Sequence, residues 1–501
     1  MLDNLILGFG VALSLQNLFY CFIGVFVGTV VGVLPGISPL VSISMSLPLT
    51  FSLPPVSALI MLAGIYYGAQ YGGSTTSILL NLPGEASSVI TCMDGYKMAR
   101  QGRAGPALAI AAIASFFAGC VGTLLIGLFG PPIAQLALNF HGAEYFSLML
   151  LGLVAAAVLA QGDIVKALAM VVLGIVLGIV GTDVSSGKQR FTFGIYELSD
   201  GIGFTIVAVG LFAIAEVIKN LENQETSEVF TAKITSLMPT SADLKASVAP
   251  TLRGTALGSF FGLLPGAGPA ISAFAAYMFE KKVAKDPSRF GNGAIEGVAS
   301  PEAANNAHVQ CSFIPTLTLG IPGSPVMALM LGALMIQGIA PGPQVMTRNP
   351  DLFWGLIASM WVGNLILVIL NLPLVGIWVK LLKVPYRWLF PSIFMVICLG
   401  NYSLNSSSIE VYLTAVFGIL GYILMKLECE PAPLILGYVL GPMMEDSLRR
   451  AMLLSRGDPS VFLTRPISLT FILITVALLI VSVMHELRKK QGKGLVPPEM
   501  G

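Results

Sequence analysis

The residues most capable of chemistry lie in one stretch, Gly293 to Pro325: GAIEGVASPEAANNAHVQCSFIPTLTLGIPGSP. It carries Glu296, Glu302, Asn305, Asn306, His308, Thr316 and Thr318, in a chain that is 55% hydrophobic and only 11% charged. Polar groups inside a bilayer are costly and mark substrate or ion paths. A second polar stretch, Tyr67 to Thr91 (YGAQYGGSTTSILLNLPGEASSVIT), offers Ser74, Thr75, Asn81, Glu85 and Ser87. Hydroxyls and amides of this kind can ligate Na⁺ or hydrogen-bond an anion. Ser74, Thr75, Asn81, Glu302, Asn305, Asn306, Thr316 and Thr318 are therefore the expected coupling-cation residues. Na⁺ is the metal they would hold, and Glu302 could carry a proton instead.

Glycine and proline interrupt both stretches and two others. The four breaks are Leu34-Pro35-Gly36-Ile37-Ser38-Pro39, Leu82-Pro83-Gly84-Glu85, Gly266-Ala267-Gly268-Pro269 and Ile321-Pro322-Gly323-Ser324-Pro325. A glycine can end one helix in the left-handed conformation, a serine can cap the next, and proline suits its first turn. A helix N-terminus exposes N–H groups that attract anions, while the carbonyl end of a broken helix suits a cation. Gly36, Ser38, Gly84, Ser87, Gly266, Gly268, Gly323 and Ser324 are thus the expected substrate-binding residues, for an anionic solute moving with a cation. Non-helical backbone at membrane depth must be buried in protein or line a cavity.

These segments belong to an all-α polytopic membrane protein, because many apolar runs approach the roughly 20 residues that span a bilayer. The chain repeats internally. GTVVGVLPGISP (28–39) aligns without gaps on GSFFGLLPGAGP (258–269), an offset of 230, and the second pair of breaks, Leu82-Pro83-Gly84 with Ile321-Pro322-Gly323, has an offset of 239. Two inverted-topology repeats follow from the charges: the basic loops, which mark the cytoplasmic side, alternate oppositely in the two halves. Lys97, Arg100 and Arg103 follow the second break in the first half, whereas Lys281, Lys282, Lys285 and Arg289 precede it in the second. Each repeat is read as a re-entrant hairpin and a broken helix plus plain spans, and the repetition predicts two related cation sites. The expected boundaries are an amphipathic N-terminal segment (1–17), the first repeat (18–218), a cytoplasmic linker (219–252), the second repeat (253–450), a final transmembrane helix with its preceding loop (451–487) and a cytoplasmic tail (488–501). The N-terminus lacks a basic region and a cleavage site, so no removed signal peptide is expected. The charge rule has exceptions: Lys188 and Arg190 fall on the outer side, and of the two clusters that flank the last span, Arg449–Arg465 and Arg488–Lys493, one must be outside; the tail is read as inside, and the side of the Arg449–Arg465 loop stays open.

The pairing of YGGSTTSILLNLPGEASSVITCMDGYKMARQGRAGPAL with GNGAIEGVASPEAANNAHVQCSFIPTLTLGIPGS, together with RFTFGIYELSDGI, resembles the large membrane subunit of the tripartite tricarboxylate transporters, the TctA type. The resemblance runs from about Gly24 to the 480s. It implies a bacterial inner-membrane symporter for carboxylates, citrate-like or otherwise, driven by Na⁺ or H⁺. It also implies a small four-helix membrane subunit (TctB type) and a periplasmic solute-binding protein (TctC type), in a membrane complex that could be a homodimer. The residues alone give only an anion with a cation.

Other classes fit less well. With a net charge of +1 the chain has no nucleic-acid footprint. It has neither a nucleotide-binding GxxxxGK[ST] nor an HExxH, and its three histidines are dispersed, so no enzyme and no cofactor are expected. An anion channel or exchanger could use the same helix ends without delivery by a binding protein. Alternating access of elevator type is the expected mechanism.

Overall fold

A computed structural model describes the chain apart from residues 1, 35–36, 161, 184, 223–236, 382–385 and 491–501. Gly36, most of the central linker and most of the tail therefore lie outside the described residues. The principal helices are α1 (Leu2–Ala12), α2 (Leu15–Val33), α3 (Pro39–Thr50), α4 (Pro55–Leu80), α5 (Ala104–Ala137), α6 (Gly142–Leu159), α7 (Ile164–Gly178), α8 (Phe204–Glu222), α9 (Ser241–Gly262), α10 (Gly268–Val283), α11 (Glu296–Cys311), α12 (Phe313–Leu319), α13 (Pro325–Ile336), α14 (Pro350–Asn371), α15 (Tyr386–Asn405), α16 (Ser408–Lys426), α17 (Pro431–Leu454) and α18 (Pro466–Lys490). One short antiparallel ribbon pairs Gly181–Thr182 with Gln189–Arg190. Among the described residues, seven helices are long and apolar enough to cross a membrane, and the chain is an all-α, multi-pass protein.

The chain forms two compact units, Met1–Leu138 with Gly203–Ile423 and Asn139–Ile202 with Leu424–Gly501. Each takes a piece from both halves of the sequence, so compactness does not follow the consecutive boundaries expected above. Helix α9 also begins at Ser241, inside the stretch read as linker, because Thr240 caps it and Asp243 returns the bond to the Thr240 N–H at 3.1 Å. Arg103 closes on Asp243 at 2.5 Å.

The first unit is built on two glycine stripes. A Cβ on Gly24, Gly28 or Gly32 of α2 would stand 2.3, 2.4 or 2.2 Å from the carbonyl oxygens of Met61, Ile65 and Ala69 on α4. A Cβ on Gly254, Gly258 or Gly262 of α9 would stand 2.2, 2.1 or 2.8 Å from those of Ser300, Ala304 and His308 on α11. The glycines are related by 230 residues and their partners by 239, the two offsets read from the sequence. Both numbers rise together along each pair, so α2 runs parallel to α4 and α9 to α11. Glycine at every fourth residue lets the backbones touch, which is how helices associate where lipid removes the hydrophobic drive.

The breaks have matching backbone. Asn81 (φ 58°) and Gly320 (φ 72°) take the left-handed conformation that ends α4 and α12, and Glu85 (φ −153°, ψ 169°) and Ser324 (φ −155°, ψ 165°) begin the next turns. The terminator is thus Asn81, not Gly84. Gly84 is needed for space: a Cβ there would meet Gly32 O at 2.4 Å and Gly73 Cα at 2.5 Å. Ser38 and Ser324 cap α3 and α13 with their hydroxyls, and proline follows each.

Gly258→Val should abolish the α9–α11 contact. Overpacking a close-packed site costs about 1–3 kcal/mol and more where backbone cannot yield, so the variant should unfold earlier in denaturant and accumulate poorly in membranes. Gly10→Ala, where a Cβ meets nothing within 4 Å, should behave as wild type in the same assay.

Candidate functional site

Helix α11 is buried on every face from Gly297 to Cys311, although it carries Glu302, Asn305, Asn306, His308 and Gln310. Such a helix is tolerated only if neighbouring elements supply partners for its polar groups. Glu302 receives Ser74 Oγ at 2.6 Å from α4, Thr91 Oγ1 at 2.5 Å from the turn after the second break, and Ser115 Oγ at 3.3 Å from α5. Asn306 Nδ2 donates to Ser115 Oγ at 2.7 Å and to the Glu302 carbonyl at 3.0 Å. One carboxylate thereby joins both halves of the sequence. Among the described residues its partners are hydroxyls, and no Lys or Arg pairs with it.

A second carboxylate, Glu85, sits at the first-half break. It accepts from Ser87 Oγ and from Asn305 Nδ2, the latter at 3.3 Å. Ser87 also reaches Gln70 Oε1 at 3.1 Å. Tyr66 of α4 approaches Ser324 across the site and lies near Glu85. The breaks of the second half are tied directly, Gly266 N–H donating to Gly323 O at 2.9 Å. Among the expected substrate residues, then, Gly84 and Ser87 are grouped around Glu85, and Gly266, Gly323 and Ser324 form one cluster, with Gly268 (φ 64°) opening α10 beside it. Ser38 has another partner: its N–H and hydroxyl donate to Glu216 of α8 at 3.2 and 2.8 Å. The protein's own carboxylate occupies that helix N-terminus.

The expected cation residues separate into groups. Ser74, Thr75, Glu302 and Asn306 come together. Asn305 turns to Glu85. Thr316 and Thr318 donate to helix carbonyls, Ser312 O at 2.8 Å and Ile314 O at 2.7 Å, and Asn81 is exposed. His308 Nδ1 meets Ser272 Oγ at 2.7 Å, while its Nε2, the Oδ1 atoms of Asn305 and Asn306 and both side-chain atoms of Gln310 are buried without a partner.

Thr91, Ser115 and Glu216 carry no sequence signal of their own, because each becomes polar machinery only through a partner nearly two hundred residues away or more. Asp94 reads as a loop turn but is fully buried. Its Oδ1 accepts from the N–H groups of Gly291, Gly293 and Ala294 at 2.9, 2.8 and 2.8 Å, and its Oδ2 accepts from Tyr277 Oη at 2.8 Å. This carboxylate fixes the entry to α11. Buried donors left unpaired cost about 1–3 kcal/mol each, so Asp94→Ala should destabilise by on the order of 3 kcal/mol. Asp94→Asn, which keeps one acceptor oxygen, should lose less. Denaturant unfolding of the two purified variants checks the order.

A model of the Tripartite tricarboxylate transporter TctA family matches residues 18–436. An Agrobacterium vitis protein described as "Uncharacterized 52.8 kDa protein in TAR-I ttuC' 3'region" is 54% identical over 496 residues, 99% of each chain. Another from the same organism, "Uncharacterized protein in TAR-II ttuC' 3'region", is 55% identical over 239 residues, 48% of this chain and 99% of its own length. No solved structure matches. The family match spans both glycine stripes, all four breaks and the buried polar helix, and the chain belongs to the tripartite tricarboxylate transporter TctA family.

Proposed function

We propose that this chain is the translocating subunit of a bacterial inner-membrane carboxylate importer, a symporter driven by Na⁺ or H⁺ and supplied by a periplasmic binding protein of TctC type, with a TctB-type subunit beside it. The observation that carries this reading is the buried polar helix α11, whose Glu302 is held by Ser74, Thr91 and Ser115 hydroxyls of the other half. A purely structural subunit has no use for such a helix. Substrate carboxylates would be received at the helix starts around Gly266, Gly323 and Ser324 and at Gly84–Ser87. The Ser38 end would become available only when Glu216 withdraws.

The repeated stripes support inverted repeats. Because α2 and α4 run parallel, α3 must return the chain to the side where α2 began, as a re-entrant hairpin does, and α9 and α10 stand in the same relation to α11. In an elevator mechanism the re-entrant hairpins and broken helices would be the moving body and the plain spans the scaffold. A channel would need neither the coupling carboxylate nor delivery.

Ion pairs in the second unit support a cytoplasmic C-terminus. Arg449 and Arg190 share Asp183 at 2.9 and 2.5 Å, and these two guanidiniums hold the Asp183 carboxyl below the usual range. Arg465 meets Glu144 at 2.6 Å. Arg449 and Arg465 thus share one end with residues 141–144 and 183–190; with that end outside, α18 would lead the chain to the cytoplasmic side.

Uptake of radiolabelled di- and tricarboxylates into proteoliposomes holding all three components, under a Na⁺ gradient and separately a pH gradient, tests the function. Uptake under either gradient is expected, and Glu302→Ala should reduce it at least tenfold. No uptake of any carboxylate with all partners present would overturn the substrate class. A C-terminal green fluorescent protein fusion should fluoresce; a dark fusion would reverse the topology.

A further inference from the structure

Beside Glu302 lies a cavity of about 10 Å³, walled by Tyr71, Ser74, Thr75, Ser115 and Asn371 together with aliphatic side chains of α5. That is the room needed by one water-sized body. Every polar group on this wall spends its hydrogen elsewhere. Ser74 and Ser115 donate to Glu302 Oε2 at 2.6 and 3.3 Å. Thr75 donates to the Tyr71 carbonyl at 3.3 Å, and the Tyr71 hydroxyl to Asn364 Oδ1 at 3.3 Å. Asn371 donates through Nδ2 to the Leu367 carbonyl at 2.9 Å, which fixes the orientation of its amide. Its Oδ1, in a side chain only 5% exposed, is left with no partner.

The polar part of the wall therefore offers mainly acceptors, four hydroxyl oxygens whose hydrogens are spent and the Asn371 Oδ1, and the rest of it is aliphatic. Lone pairs repel an anion and welcome a hard cation, which prefers oxygen ligands of this kind. The charge to balance it is at hand, since Glu302 is buried with hydroxyl partners only, and an isolated buried charge is expensive. We infer that this cavity is a site for a single dehydrated Na⁺, with Asn371 as a ligand and Glu302 as the charge behind the Ser74 and Ser115 hydroxyls. The inference deepens the symport reading and rests on it: it names Na⁺ as the coupling ion and places it at one site. The repeat supplies no twin, because the residues 239 positions on from Ser74 and Thr75 are Phe313 and Ile314. Asn371 ends a span that reads as plain in the sequence, so only the fold brings it to the site.

The test is thermal unfolding of the purified membrane complex in detergent, with NaCl, LiCl, KCl or choline chloride titrated at constant ionic strength. Na⁺ should raise the unfolding temperature saturably, as any ligand of the native state does, and K⁺ should not. Asn371→Leu and, independently, Thr75→Val should raise the half-saturating Na⁺ concentration at least tenfold. In choline alone Asn371→Leu should unfold close to wild type, because the oxygen it removes had no partner and the bond it removes is to a carbonyl of its own helix. No Na⁺-specific stabilisation of the wild type, or unchanged half-saturation in both variants, would overturn the site and leave the cavity to a water molecule. Uptake separates this outcome from failure of the wider reading. Carboxylate uptake on a pH gradient with no response to Na⁺ keeps the transporter and removes the site. Na⁺ stabilisation sensitive to Asn371 with no carboxylate uptake keeps the site and removes the substrate class.

Discussion

The structure depends on burying one polar helix. Residues Gly297 to Cys311 are enclosed on all sides, and each polar group left unpaired in such a place costs about 1–3 kcal/mol. The surroundings answer part of this demand: Ser74, Thr91 and Ser115 bond Glu302, Ser272 bonds His308 Nδ1 and Glu85 accepts from Asn305 Nδ2, while Gln310, His308 Nε2 and the Asn305 and Asn306 Oδ1 atoms have no partner among the described residues. These partners come from α4, α5, α10 and the turn after the first-half break, so the helix dictates where four other elements must be. Apolar residues at the same places would have packed more cheaply. That the chain instead keeps carboxylate, amide and imidazole together in its interior is the physical argument behind the proposed path.

Glycine makes this burial geometrically achievable. Helix α9 can lie on α11 only because Gly254, Gly258 and Gly262 place backbone against backbone. The same stripe joins α2 to α4, with one variation. Gly72 of α4, which itself would collide with Thr29 O at 2.4 Å, corresponds to Cys311 of α11. There the thiol side chain crowds Gly262, where a Cβ would meet Cys311 Cβ at 2.9 Å. The second contact is correspondingly looser at that end, 2.8 Å from the facing carbonyl against 2.2 Å for Gly32.

Much of this was legible in the residues. Offsets of 230 and 239 read from two short motifs reappear as the contact register of two helix pairs, because a glycine needed for close approach cannot drift to another position. The caps at Ser38 and Ser324 follow from local rules, as do the prolines after them. What local rules could not supply was partnership. Asn81 ends a helix left-handed, because asparagine tolerates that conformation, while Gly84 is reserved for space. Ser38 looked like a vacant anion site, yet Glu216 sits on it. Asp94 looked like a turn, yet it holds three backbone N–H groups of a loop far along the chain. In each case the deciding residue is distant in sequence, and no periodicity or spacing encodes it.

Repetition and chemistry part company at the centre. The two halves share backbone to within a few degrees at Glu85 and Ser324 and share a glycine stripe, so the frame is doubled. The side chains that fill the frame are not. Glu302 corresponds to Ala63, Asn305 to Tyr66, and Ser74 and Thr75 to Phe313 and Ile314. A duplicated frame lets two broken segments meet and exchange contacts, Asn305 reaching Glu85 and Tyr66 approaching Ser324. Divergent side chains then let the two faces differ, one carrying Ser74, Thr91 and Ser115 around the Glu302 carboxylate and the other the helix starts at Gly268 and Ser324. A strictly symmetric interior would offer the same chemistry twice and would suit two identical ions. The proposed coupling of an anion to a cation needs opposite surroundings side by side, and only an asymmetric filling of a symmetric frame is compatible with that need.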